Sequence, residues 1–248
     1  MKTNKLIPIL ALAAVMTSCA KPSEPKEIRF SILGNSYSSF EGYVDPETND
    51  VYPYEDIGVT NVEMMWWYKV ATETGWVMEK NNSFSGSLVC NFEDFASGSY
   101  YAPHSFIRRM DNLGHPDVIF IFGATNDACA NNGDNVPVVP LGYNVFSDWT
   151  EEQLCAFRPA LAYLFDGLQK MYPQAELYFL VDMNLGSDGI DLDRRDAFIG
   201  AIHHIASHYN VKCIDLEGIE KWHWHPNAEG QASIARQVIE ALRMDFNV

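Results

Sequence analysis

The run Asp117-Val118-Ile119-Phe120-Ile121-Phe122 constrains this chain more than any other stretch. Consecutive large apolar side chains in an extended run leave no polar face, so such a strand must be covered on both sides. Cover on both sides is the mark of a parallel sheet flanked by helices. Four further runs fit the same sheet, at 28–33, 76–79, 176–181 and 211–215. Helix-length stretches lie between and after them, at 62–74, 104–113, 150–171, 193–209 and 228–243. Pro159 is expected to split or kink the third of these. The repeated β–α order predicts an α/β fold, a three-layer α/β/α sandwich around a roughly five-stranded parallel sheet.

The amino end reads differently. Lys2 and Lys5 precede an apolar stretch at 7–16, too short for the ~20 residues that a spanning helix needs. Residues 1–18 are therefore expected to be a processed export segment. Met16-Thr17-Ser18-Cys19 resembles a bacterial lipoprotein signal, in which Cys19 carries the lipid. The usual signal has Leu where Met16 stands, and secretion without lipid is the alternative. Residues 19–27 read as a tether and 28–248 as one domain. The expected location is the cell envelope, periplasmic or cell-surface, with the outer membrane as the anchoring membrane.

The chain has 33 acidic against 17 basic residues, a net charge of −16. No basic surface is available to neutralise nucleic-acid phosphates or anionic lipid, so neither is an expected partner. Contact with a membrane is expected only through the N-terminal lipid. Cys90, Cys129, Cys155 and Cys213 remain after the signal, and export would allow them to oxidise. Cys129 with Cys155 is one plausible pair, though sequence alone does not choose among the pairings.

In a parallel α/β sheet, function gathers at the carboxyl ends of the strands. The first strand runs into Gly34-Asn35-Ser36-Tyr37-Ser38, and the third into Gly123-Ala124-Thr125-Asn126-Asp127. Between them lies Asn82-Ser83-Phe84-Ser85-Gly86-Ser87, and before the last helix stands His223-Trp224-His225-Pro226-Asn227. A serine placed just beyond a buried strand, after a glycine that allows a tight turn, can present its hydroxyl at the sheet edge. A histidine can supply the base that such a hydroxyl needs near neutral pH.

These four blocks, in this order, resemble those of the SGNH hydrolases, the GDSL-like esterase/lipase superfamily. The resemblance spans roughly residues 28–243. Asn35 stands where Asp is usual. The resemblance implies the flavodoxin-like fold of that family and assigns roles. Ser36 would be the nucleophile and His225 the base, then the acid that protonates the leaving alcohol; an imidazole with an ordinary pKa of ~6.5 suits both steps. The backbone N–H groups of Ser36 and Gly86 and the side-chain amide of Asn126 would form the oxyanion hole. Gly98 is the alternative close-approach glycine. Asp127 is expected to hold the loop around Asn126.

The family's third triad member is an Asp three residues before the histidine, and Trp222 occupies that position. Tryptophan cannot accept a proton. Glu220 can serve if the loop curls, Asp215 can reach from elsewhere, or the enzyme works as a Ser–His dyad. Tyr37, Trp222 and Trp224 are the expected substrate-pocket residues, with Tyr43, Tyr52 and Tyr54 near the same loop. Aromatic residues in such a loop suit stacking on sugar rings.

No metal or cofactor is expected. His204 and His208 have a helical i, i+4 spacing able to hold zinc, but they lie off the apolar face and read as solvated. The sequence has no H-E-x-x-H, G-x-G-x-x-G or G-x-x-x-x-G-K motif. Resemblance and expected export point to a serine esterase acting on small-acyl esters, O-acetyl the simplest, of a small molecule or oligosaccharide. A catalytically impaired carbohydrate-binding protein on the same scaffold is one alternative, and a lipid or phosphate ester hydrolase is another.

Overall fold

In the computed structural model, which describes residues 27–48, 51–92, 104–129, 138–185 and 191–246, the five expected runs form one parallel sheet. They are β1 (Arg29–Gly34), β2 (Val77–Ser83), β3 (Val118–Phe122), β4 (Glu176–Asp182) and β5 (Lys212–Leu216). The strand order is β2-β1-β3-β4-β5, and every neighbouring pair is parallel. The export segment 1–18, Cys19 and the tether up to residue 26 lie outside the described residues, as does Gly98.

β3 is buried at all five positions, as its sequence requires. Its side chains alternate between two cores. Phe120 and Phe122 face a cluster with Trp66, Trp67, Ile234 and Val238. Ile119 and Ile121 face another, with Phe106, Leu161, Phe165 and Ile202. Helices α1 (Trp66–Thr74) and α6 (Ala228–Asp245) therefore cover one face of the sheet. Helices α2 (Phe106–Arg109), α4 (Phe157–Met171) and α5 (Leu192–Tyr209) cover the other. α3 (Thr125–Cys129) is a short helix directly after β3. Each large apolar side chain fully buried in such a core is worth about 1.5–3 kcal/mol.

Three elements depart from the sequence expectation, each for a local reason. The helix expected over 150–171 divides at Ala156, whose backbone is extended, so α4 begins at Phe157 and Pro159 does not kink it. Pro159 is the third residue of α4, where the missing N–H has no intrahelical partner to lose. The helix expected over 62–74 divides at Met65, whose backbone is extended, because the N–H of Trp66 donates to Gln231 Oε1 at 3.0 Å. The helix expected over 104–113 shrinks to the four residues of α2. The Arg109 carbonyl accepts from Asn82 Nδ2 at 2.8 Å, and the Leu113 N–H goes to Tyr172 Oη at 3.1 Å, so the next turn has no ladder.

A small hairpin not expected from sequence precedes α6. Strands β6 (Lys221–Trp222) and β7 (His225–Pro226) pair antiparallel, with Lys221 opposite Pro226 and Trp222 opposite His225. The turn is made by His223, with φ +54°, and Trp224. The suggested Cys129–Cys155 bridge is not formed: Cys155 carries a thiol that donates to the Glu151 carbonyl at 3.5 Å. Among the described residues no helix is long and apolar enough to cross a membrane.

Candidate active site

The nucleophile candidate sits where β1 ends. The Asn35 N–H donates to the Phe122 carbonyl at 3.2 Å, which fastens the turn to the end of β3. The Asn35 side-chain oxygen accepts from the Tyr37 N–H at 3.0 Å and caps the 3₁₀ turn Ser36–Ser38. A carboxylate oxygen could make the same cap; as Asn, the side chain buries its Nδ2 without a hydrogen-bond partner among the described residues. The Ser36 carbonyl accepts from the Ser39 N–H at 3.3 Å and from Ser39 Oγ at 3.0 Å. Ser36 is 5% exposed, at the carboxyl edge of the sheet.

The Gly86 turn leaves the neighbouring strand, β2. Phe84 N–H donates to the Gly34 carbonyl at 3.0 Å, and both the N–H and Oγ of Ser87 donate back to the Phe84 carbonyl. Gly86 has φ +72°, a left-handed conformation that costs any L side chain. Asn126, on α3, donates through Nδ2 to the Ser87 carbonyl at 2.9 Å. One amide hydrogen of Asn126 thus ties the loop after β3 to the Gly86 turn. The same amide group carries a second hydrogen.

Asp127 holds this assembly from behind. Its carboxylate accepts from the Val89 N–H at 3.0 and 3.1 Å, from the Cys90 N–H at 3.4 Å and from Cys90 Sγ at 3.4 Å. Burial pushes its pKa up to about 6, although these donors pull the other way. The expectation that Asp127 anchors the loop around Asn126 describes this contact set.

His225 arrives on the β6–β7 hairpin. Its ring centroid lies 5.2 Å from that of Tyr54 and 6.1 Å from those of Tyr37 and Tyr52. Tyr52 Oη donates to the Pro226 carbonyl at 2.6 Å and fixes the strand that carries the histidine. β7 packs on the Ser36–Ser38 turn, so serine and histidine belong to adjoining segments. The hairpin is pinned to the sheet by a buried ion pair. Lys221 Nζ bonds to Asp182 at the end of β4 and donates to the Asn184 carbonyl at 2.8 Å. It also lies 5.5 Å from the centre of the Tyr37 ring. Gln231 of α6, fully buried, donates through Nε2 to the Tyr37 carbonyl at 3.1 Å while its Oε1 holds the Trp66 N–H.

One expected pocket residue falls elsewhere. Tyr37 does not wall an open pocket. It is buried behind Ser36, against Phe122, because the Asn35 cap turns it inward. Burial and the Asp182 charge hold its hydroxyl well above the usual phenol range. The Asp215 carboxylate lies 3.3 Å from His203 Nε2, on a partly exposed face of β5 and α5. Glu220 accepts from Asn227 Nδ2 at 2.7 Å and ties the hairpin's entry to the start of α6. Trp222 and Trp224 flank His225 in sequence and stay 58% and 39% exposed. His208 stacks on Phe146 with centroids 3.9 Å apart, and His204 lies 6.1 Å from the same ring. Among the described residues no group of three or more His, Cys, Asp or Glu is placed to hold a metal.

Sequence reasoning missed Asp182, Lys221 and Gln231. Asp182 had a usable signal, an acid at the carboxyl end of an otherwise apolar strand. Lys221 and Gln231 had none, because their roles depend on partners 39 and 165 positions away.

The family described as GDSL-like Lipase/Acylhydrolase matches residues 28–242. A solved Bacteroides ovatus structure assigned to the GDSL-like lipases is 39% identical, with a TM-score of 0.74, covering 89% of this chain and all of that one. A second, from Bacteroides uniformis, is 35% identical, with a TM-score of 0.73, covering 88% and 96%. A carbohydrate acetylesterase from Sinorhizobium meliloti shares the fold at 12% identity, with a TM-score of 0.61 and coverage of 89% and 100%. No curated protein matches. From the matched span and the two Bacteroides relatives, the chain belongs to the GDSL-like lipase/acylhydrolase family of ester hydrolases, within the SGNH hydrolase superfamily.

Proposed function

We propose that this protein is a serine esterase that removes small acyl groups, acetyl the simplest, from carbohydrate. One observation carries the reading. The Ser36 turn packs against the strand bearing His225, while the Gly86 turn and Asn126, bonded together through Ser87, come from the two strands flanking β1.

In this mechanism Ser36 Oγ attacks the ester carbonyl carbon and its proton passes to His225. The carbonyl oxygen becomes an oxyanion, which accepts from the N–H groups of Ser36 and Gly86 and from the remaining amide hydrogen of Asn126. His225 then protonates the leaving sugar hydroxyl as the C–O bond breaks. Water, deprotonated by His225, attacks the acyl-serine, and Ser36 recovers its proton as the acid leaves.

The carbohydrate part of the reading is supported by the two exposed tryptophans beside His225 and by the fold shared with a carbohydrate acetylesterase. We further place the protein outside the cytoplasm, held by lipid on Cys19, from the sequence of residues 1–19. The test is hydrolysis of p-nitrophenyl acetate by the 20–248 chain beside Ser36→Ala and His225→Ala. Loss of turnover in both folded variants is expected. Equal slow release by all three would refute the mechanism.

A further inference from the structure

The nucleophile turn, the Gly86 turn and the Asn126 loop leave three different strands. Oxyanion donors act only when held to a fraction of an ångström, so such a site needs a rigid support behind it. Helix α2 lies there. Its Phe106 ring fills the space against Gly123, where an added Cβ would come within 2.6 Å of the ring. Its Arg109 reaches further into the site's base.

Arg109 Nη2 donates to the Gly34 carbonyl at 3.1 Å and to Ser87 Oγ at 3.0 Å. Gly34 is two residues before Ser36, and Ser87 follows Gly86. Nη1 bonds to the Asn82 carbonyl and lies 3.3 Å from Asn82 Oδ1, while Nε donates to the His104 carbonyl at 2.7 Å. All five of these acceptors are neutral. Burial lowers the arginine's pKa to about 9, which leaves it charged at neutral pH. A desolvated cation without a compensating carboxylate among these bonds is costly, and an apolar side chain of similar volume would avoid that cost. What only the guanidinium supplies is a planar fork, two of whose bonds here join separate loops.

We propose that Arg109 is the positioning residue of the oxyanion hole, a cation from α2 that clamps the nucleophile turn to the Gly86 turn through the Gly34 carbonyl and the Ser87 hydroxyl. Asn126 is drawn into the same clamp, because its amide bonds to the Ser87 carbonyl. This inference rests on the esterase reading above.

The test compares wild type, Arg109→Met, Arg109→Lys and Ser87→Ala. Each is titrated with a fluorophosphonate, which labels the active serine, so that turnover is counted per competent site. p-Nitrophenyl acetate is the substrate and methylboronic acid the tetrahedral mimic. For Arg109→Met, kcat is expected to fall roughly 100-fold with KM within about 3-fold, as misaligned donors serve the transition state alone. Boronate affinity should fall with it. Arg109→Lys should recover part of the loss. A kcat per labelled site equal to wild type in Arg109→Met would overturn the clamp. If that variant does not fold, Ser87→Ala decides: a kcat loss of about 10-fold at unchanged KM supports the clamp, and wild-type kcat overturns it. A wild type that neither labels at Ser36 nor turns over would instead overturn the esterase reading, and the clamp falls with it.

Discussion

Lys221 and Asp182 form an ion pair almost wholly removed from water, with side-chain exposures of 7% and 0%. Asp182 ends β4 and Lys221 begins the hairpin that delivers His225. Removing one partner would strand the other charge in the interior. Lys221→Met is therefore expected to cost about 3–5 kcal/mol in urea unfolding. The double variant Lys221→Met/Asp182→Leu should recover much of that stability. It should not recover full turnover, because the hairpin remains unpinned. Full turnover in the double variant would show that the pair holds the fold and not the histidine.

Asn126→Ala removes the proposed oxyanion donor and its bond to the Ser87 carbonyl. The expected loss in kcat is about 10²- to 10³-fold with little change in KM. Steady-state kinetics on p-nitrophenyl acetate reads this directly. A change confined to KM would place Asn126 in substrate binding.

Gly86→Ala meets a backbone with φ +72°. The left-handed conformation costs an L residue roughly 1–2 kcal/mol, or the turn relaxes to avoid it. Either way the Gly86 N–H shifts, so kcat should fall by more than the unfolded fraction accounts for. Thermal melts beside activity separate the two effects.

Asp127 makes stability depend on pH. Its folded pKa of about 6 lies above the ordinary 3.8, so between these values the folded state binds the proton more tightly than the unfolded state. The stability this linkage contributes is fully present below about pH 4 and is lost as the pH rises to about 6. Asp127→Asn should remove that downward slope, and the difference between wild-type and variant unfolding curves across pH 4–7 isolates it. Parallel curves would show that the carboxyl does not titrate in this range.

Trp222 and Trp224 are exposed, so their replacement by Ala should alter stability by less than about 0.5 kcal/mol. KM for acetylated oligosaccharides should rise severalfold while kinetics on p-nitrophenyl acetate stay near wild type. Equal effects on both substrates would argue against sugar stacking.

The sheet was legible because its signal is local. Each strand carries its apolar run within a few residues, and the observed bounds of β3 differ from expectation by one position. The Ser36, Gly86 and Asn126 turns were legible through their short motifs. What escaped was everything set by long-range bonds. The break at Met65 depends on Gln231, the shortness of α2 on Asn82 and Tyr172, and the burial of Tyr37 on its cap and on Phe122. The contacts of Glu220 and Asp215 were likewise not legible. Asn227 and His203, to which they bond, lie across a loop and across a helix–strand contact.

Gln231 sets a schedule. The Tyr37 carbonyl, one residue after the candidate nucleophile, is held by a side chain from the last helix. During translation the serine turn is among the first parts of the domain to leave the ribosome, yet its support emerges nearly 200 residues later. A nascent or truncated chain ending before Gln231 would carry Ser36 in an unfinished setting. The serine turn therefore gains its final support only once the last helix has docked.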